Sequence, residues 1–274
     1  MAIYILAIVP VLQGCTPGKA PTSDHFAGSR FHNRNSGSDY SLWQEVEIAW
    51  ELRTKKKNWP ARFETTPYRT PAEPVPHGIS VLWIGHSTTL IQTPTLNIMT
   101  DPILFDSIGP SVFGMNTVTN PGLLIESLPT IDLILISHNH YDHLDLRSLH
   151  ALLDRQRNAP PRILVGRGVG PLLKNAGLSP YAELDWDESV TVKDAHVHFL
   201  EAIHTSRRGM WDTNGTLWGS FLIDTPEGGI HYAGDTAYGA LSPRLREVRC
   251  PTRQSAAHRC VRATMVHVSD AHEP

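Results

Sequence analysis

Cysteine is scarce in this 274-residue chain: there are three, Cys15, Cys250 and Cys260, with none between residues 16 and 249. That spacing excludes a disulfide framework as the device holding a core together, and it excludes a thiolate cluster as the metal-binding chemistry. Long apolar runs are lacking as well. The one at the start, residues 2–12 (AIYILAIVPVL), is too short to span a bilayer as a stable anchor. Surplus charge is missing: 24 Lys and Arg against 27 Asp and Glu give a net charge of −3, which argues against nucleic acid as a general partner. Histidine, in contrast, is plentiful at 15 residues.

The histidines are densest where a buried strand ends. Ile131 to Ile136 is a continuous apolar run of leucine and β-branched side chains, the pattern of a strand covered on both faces. Directly after it come His138, His140, Asp142 and His143. Imidazoles and carboxylates are the donors that borderline divalent ions such as zinc prefer. In extended chain, residues i and i+2 point the same way, so His138 and His140 can share one ion while Asp142 and His143 turn toward a second.

The rest of the chain arranges itself around that stretch. Residues 1–14 read as an export signal, and Leu12-Gln13-Gly14-Cys15 resembles the lipobox of bacterial lipoproteins, in which the cysteine is lipidated. Lipidated Cys15 would hold the protein on a membrane surface in the bacterial cell envelope, on the periplasmic face. Residues 15–75 form an N-terminal extension rich in Pro, Ser, Asn and charge, with one short amphipathic helix over Tyr40 to Leu52. The main domain spans 76–249. Strands are expected over Ile79–Ile84, from Leu90, over Leu96–Thr100 and Ile131–Ile136, with a long Gly/Pro/Asn loop over 103–130. Helical spacing follows over Leu146–Arg157, a strand over Arg162–Val165 and a short helix over Val169–Ala176. A single strand over Thr191–His204 and a hairpin, Leu217–Ile223 with Gly229–Ala233, complete an α/β pattern. Three strands then each present candidate ligands at their ends: His138 with its neighbours, His204, and Asp235.

The stretches WIGHSTTLIQ, TDPIL, LPTIDLILISHNHYDHLD, ELDWDE, LWGSF and YAGDTAYG resemble the metallo-β-lactamase superfamily. They are most similar to its branch of N-acylphosphatidylethanolamine-hydrolysing phospholipases D. The resemblance covers roughly residues 76–249 and implies an αββα sandwich with two zinc ions at one edge. It implies that His138, His140 and His204 hold the first zinc, that Asp142 and His143 hold the second, and that Asp235 bridges them. It gives Asp142 a catalytic role and turns Tyr141 toward the substrate. Two such ions ionise a shared water near neutral pH, and that water would attack a phosphodiester to release a phosphatidate and an N-acylethanolamine. A metal-dependent lactonase and a non-catalytic lipoprotein remnant are the alternative readings.

Several residues stay open at this level. His86 and Asp101 sit at strand ends, where they either hydrogen-bond metal ligands or stabilise their own turns. Asp145 either supports the ligand loop or caps the following helix. His196, His198 and His231 read as ordinary strand residues.

After residue 249 the apolar content falls and no strand can be placed in RCPTRQSAAHRCVRATMVHVSDAHEP. The family's second zinc takes one more histidine far downstream of Gly234-Asp235-Thr236, and none can be assigned. Reading from Pro251 one base later permits a family-like continuation, and Met265-Val266 forces a tryptophan in that frame. The expectation is therefore that 250–274 is an out-of-frame tail, that the sandwich lacks its C-terminal strands and helices, and that activity is impaired.

Overall fold

The computed structural model describes residues 23–34, 50, 75–109, 114–237 and 265–267. The apolar start, Cys15 and the helix read over 40–52 lie outside these residues, Trp50 excepted, as do 238–264. No helix among the described residues is long and apolar enough to cross a membrane.

The chain opens with a two-stranded ladder, β1 (Phe26–Ala27) against β2 (Arg30–Phe31). A meander follows, β3 (Ser80–Gly85), β4 (Thr88–Gln92) and β5 (Asn97–Thr100), antiparallel as the tight turns require. The long connection after β5 carries a small ladder of its own, β6 (Ser107–Ile108) with β7 (Met115–Asn116). Next come β8 (Leu133–Leu135), α1 (Leu146–Arg155), β9 (Arg162–Gly166), α2 (Gly170–Asn175) and β10 (Tyr181–Leu184). Parallel pairing of β5, β8, β9 and β10 gives a six-stranded mixed sheet in the order β10-β9-β8-β5-β4-β3. The second sheet is built from β11 (Ser189–Val192), β12 (Ala195–Leu200), β13 (Ser220–Thr225), β14 (Gly228–Asp235) and β15 (Met265–His267), in that order.

Two apolar layers hold these sheets. Side chains alternate across a strand, so Leu133 and Leu135 of β8 enter the core between the sheets, meeting Val197, Phe199, Phe221 and Ile223. Ile134 points the other way, into a layer with Leu149 and Leu152 of α1 and Leu172 and Leu173 of α2. This is why β8 reads as an unbroken apolar run: both faces are covered. Each such buried side chain contributes roughly 1.5–3 kcal/mol. Asp145 caps α1, its carboxylate accepting from Ser148 N at 3.2 Å and Ser148 Oγ at 2.7 Å. Capping is thus its role.

The structure departs from the sequence reading in three places. The strand read over Thr191–His204 is two strands, β11 and β12, joined at Lys193-Asp194, with Lys193 at φ 53°. The alternation of Val190 and Val192 shifts by one residue before Ala195, Val197 and Phe199, at a turn that lacks the usual Asn-Gly or Asp-Gly signal. β12 stops at Leu200, so His204 lies on the irregular chain beyond it. A strand also occurs where the sequence placed none: β15 pairs parallel with β14, Tyr232 opposite Met265 and Asp235 opposite His267. Three residues carry too little periodicity to be seen in sequence. Finally, residues 23–34, read as part of a separate extension, pack on the sandwich, with Phe31 inside the intersheet core.

Candidate metal centre

The loop leaving β8 is held from several sides before any ligand is considered. Asp101, at the end of β5, is fully buried and sits at φ 34°, a left-handed conformation that Asp tolerates better than most residues. Its Oδ1 accepts from Ser137 N at 2.7 Å, and its Oδ2 accepts from Ser137 Oγ at 2.5 Å and from His143 Nδ1 at 2.7 Å. The Tyr232 hydroxyl lies 2.6 Å from the same Oδ2. From the opposite side the buried Arg208 donates through Nη1 to the carbonyls of Asn139 at 3.0 Å and Leu144 at 2.8 Å.

These contacts settle which nitrogen of His138 is bare. Ser137 Oγ spends its hydrogen on Asp101, so it accepts at 2.9 Å from His138 Nδ1, which therefore carries the ring hydrogen. His138 Nε2 keeps its lone pair. It lies 2.8 Å from His140 Nδ1 and 3.2 Å from His204 Nε2, and those two are 3.4 Å apart. Tetrahedral ligands at a zinc–nitrogen distance of about 2.0–2.1 Å are spaced about 3.3 Å, close to this triangle. Burial keeps the rings neutral: it pushes His138 well below 6.5, His140 to about 4 and His204 to about 3. Three neutral imidazoles bring one ring nitrogen each to the same point.

A second group adjoins the first. Asp142 Oδ2 is 3.2 Å from His86 Nε2 and 3.8 Å from His143 Nε2. His86, Asp142 and His143 offer donor atoms that all lie within 4.8 Å of one another. Asp235 stands between the groups, its Oδ2 3.3 Å from His143 Nε2 and 3.9 Å from His204 Nε2. Gly234 makes that placement possible: it adopts φ 58°, and a Cβ there would come within 2.5 Å of Ser137 Cβ. Burial opposes charge on Asp142, Asp235 and His143. Their partners outweigh it, chiefly His86 for Asp142, His143 for Asp235 and Asp101 for His143, holding both carboxylates below their usual range and His143 well above 6.5.

Two buried atoms here have no hydrogen-bond partner, His143 Nε2 and Asp235 Oδ1. Their neighbours are close enough for attraction but not aligned for a hydrogen bond. Orphaned donor atoms on an imidazole and a carboxylate, beside a triangle of imidazole nitrogens, are a donor set suited to divalent cations. The residues fit such ions.

The structure thus brings His138, His140, Asp142, His143, His204 and Asp235 together at one sheet edge. Tyr141 lies beside them, partly buried, with the Arg208 guanidinium 4.0 Å over its ring. Of the residues left open, His86 and Asp101 both contact the cluster. His196 and His198 lie on the outer face of β12, 3.0 Å from Thr191 and 3.5 Å from Asp224 respectively. His231 lies on β14, where burial lowers it to about 4.

Sequence reasoning missed Ser137, Arg208, Tyr232 and, above all, Asn33. The Asn33 amide donates to His204 O at 2.9 Å and accepts from His204 N at 3.2 Å and from Trp218 Nε1 at 3.1 Å. Ser137 adjoins a candidate ligand and could have been singled out. No local signal marks the other three.

A family model described as "Beta-lactamase superfamily domain" matches residues 97–270. An uncharacterized protein of Mycobacterium tuberculosis is 34% identical over 232 residues, covering 79% of this chain and 59% of that protein. The mitochondrial N-acyl-phosphatidylethanolamine-hydrolyzing phospholipase D of Saccharomyces cerevisiae is 35% identical over 162 residues, covering 57% of this chain and 34% of the relative. A UPF0173 metal-dependent hydrolase of Methylacidiphilum infernorum is 28% identical over 159 residues, covering 58% and 63%. The chain therefore spans about 59% of the length of the mycobacterial relative. With two facing sheets, helices on an outer face and a histidine-aspartate cluster at the sheet edge, the chain belongs to the β-lactamase superfamily and carries the metallo-β-lactamase α/β sandwich.

Proposed function

We propose that this protein is a zinc-dependent hydrolase of phosphodiesters, of phospholipase D type, acting on N-acylphosphatidylethanolamine-like lipids. The observation that carries the reading is the adjacency of two donor groups with Asp235 between them, 3.3 Å from His143 and 3.9 Å from His204. In this reading His138, His140 and His204 hold one cation, Asp142 and His143 hold the other, and Asp235 serves both. Imidazole and carboxylate donors in this proportion favour zinc. A bound pair supplies an ionised water near neutral pH and offsets charge on the phosphoryl oxygens. Similarity to the yeast phospholipase D supports the substrate class.

The chain's own residues supply the rest. The Asp142 side chain is 40% exposed, the most open of the cluster's carboxylates, so it can accept a hydrogen bond from the attacking water and orient it. Asp101 and Ser137 keep the His138 and His143 rings turned the right way. Tyr141, fixed beneath Arg208, presents its hydroxyl end to an incoming substrate. In the reaction a water oxygen bonds to phosphorus and the bond from phosphorus to the N-acylethanolamine oxygen breaks. The alcohol takes a proton, and a phosphatidate remains. Lipidation of Cys15 would place this chemistry at a membrane of the cell envelope, next to its phospholipid substrate.

The test is direct. Zinc-loaded protein is mixed with phosphatidylcholine vesicles containing N-acylphosphatidylethanolamine, and both products are followed by mass spectrometry, with chelated protein as control. Metal-dependent release of N-acylethanolamine supports the reading. Turnover of lactones without phosphodiester cleavage, or no turnover of either, overturns it.

A further inference from the structure

His86 occupies the two-residue turn between β3 and β4, where Gly85 pairs with Thr88, at φ 46°. Its backbone carbonyl is fixed by Trp83 Nε1 at 2.7 Å. From there the side chain reaches the second donor group: Nε2 lies 3.2 Å from Asp142 Oδ2, and the ring stands edge-on to His143 with centroids 5.4 Å apart.

A hydrogen bond to Asp142 explains one contact. It leaves His143 Nε2 and Asp235 Oδ1 buried without hydrogen-bond partners. One cation drawing on His86 Nε2, Asp142 Oδ2 and His143 Nε2, which all lie within 4.8 Å of one another, gives His143 Nε2 its missing partner, and Asp235 Oδ2 stands 3.3 Å from that same nitrogen. The spacings support this: 3.2 Å and 3.8 Å from Asp142 Oδ2, and 3.3 Å between His143 and Asp235, against about 3.3 Å between tetrahedral ligands. Two imidazoles and two carboxylates also balance a divalent charge. Resemblance assigned no histidine to the last position of the second site, and His86 brings a ring nitrogen within reach of Asp142 and His143.

We propose that His86 is a direct ligand of the second cation, through Nε2, completing a set with Asp142, His143 and Asp235. The proposal rests on the metal-centre reading above. A ligand must be distinguished from a residue that merely orients Asp142, and glutamine does so: it keeps an N–H donor for Asp142 but lacks an imidazole lone pair.

The experiment is cobalt titration of the full chain after metal removal, with bound ions counted by mass spectrometry and affinities taken from the visible spectrum. Wild type should bind two ions. His86→Ala and His86→Gln should each keep the first ion at unchanged affinity, which also reports that the sandwich has folded. Their second site should weaken by more than about 100-fold, beyond the 10–100-fold cost of losing a partner behind a ligand. His267→Ala, altering the residue whose backbone faces Asp235 in the β14–β15 ladder, should retain both ions. Recovery of second-site affinity by His86→Gln overturns the proposal in favour of an orienting role. Unchanged binding in both His86 variants overturns it too, as does loss of both ions in both of them, or loss of the second ion in His267→Ala. Wild type binding no ion at all overturns the metal centre itself, a distinct failure.

Discussion

Asp101 Oδ2 accepts the Nδ1 hydrogen of His143 at 2.7 Å, and through Ser137 the same carboxylate fixes the ring hydrogen of His138 on Nδ1. One fully buried side chain therefore sets the lone-pair direction of a histidine in each donor group. Replacing it isolates that effect. Asp101→Asn keeps a side chain suited to φ 34° but removes the charge that gathers these donors. We expect cation affinity at both sites to fall about 10–100-fold, measured by competition with a chromophoric chelator. Asp101→Ala should cost at least about 3 kcal/mol in urea unfolding, because several buried donors lose their acceptor. An Asp101→Asn protein with wild-type affinity would show that the carboxylate does no more than shape its turn.

Gly234 should be intolerant of any side chain. At φ 58° with Ser137 Cβ 2.5 Å from a would-be Cβ, alanine here is strained in its backbone and collides with a packed strand end. Gly234→Ala should lose roughly 2 kcal/mol or more and displace Asp235, so thermal unfolding and cation stoichiometry should fall together. Full stability with full stoichiometry contradicts this.

Asn33→Ala tests a contact across the chain. Asn33 makes a two-way amide clasp on the backbone of His204 and also receives Trp218. Its removal leaves His204 on an irregular segment with less to hold it. The expected result is a loss of about 1–3 kcal/mol and weaker binding at the His138/His140/His204 group, with the other group spared. Equal weakening at both sites would point to general destabilisation instead.

These residues mark where sequence reading succeeds and where it stops. The apolar run ending at Ile136 declares a strand covered on both faces, and His138 to His143 declare a cluster, because both signals are local. The β13–β14 hairpin is legible across Thr225 to Gly229 for the same reason. His204 was legible as a candidate ligand, but its position beyond β12 was not, since the Lys193-Asp194 turn carries no Gly or Pro and shows only as a one-residue shift in the alternation. Asn33 and Arg208 act through backbone carbonyls and amides of distant residues, and that partnership leaves no mark on their neighbours. Asp101 fell between: its place after β5 was visible, but the donors converging on it, Ser137, His143 and Tyr232, come from the loop after β8 and from β14.

The final prediction concerns acid. In the metal-free protein burial holds His140 at about 4 and His204 at about 3, with His138 also lowered, whereas the unfolded chain protonates near 6.5. The unfolded state then binds more protons below pH 6.5, so stability is fully present above that value and is lost as pH falls through the folded-state values. His143 is displaced upward, so it is protonated in both states within this window and adds no slope there. Asp142 and Asp235, displaced downward from 3.8, act only at lower pH. His140 alone corresponds to on the order of 3 kcal/mol by pH 4. Chelated protein should therefore show a Tm that declines steadily from pH 6.5 to 4.5. His140→Gln, which removes one titrating ring, should decline less steeply; identical slopes in the two proteins would mean that His140 is not held neutral by burial.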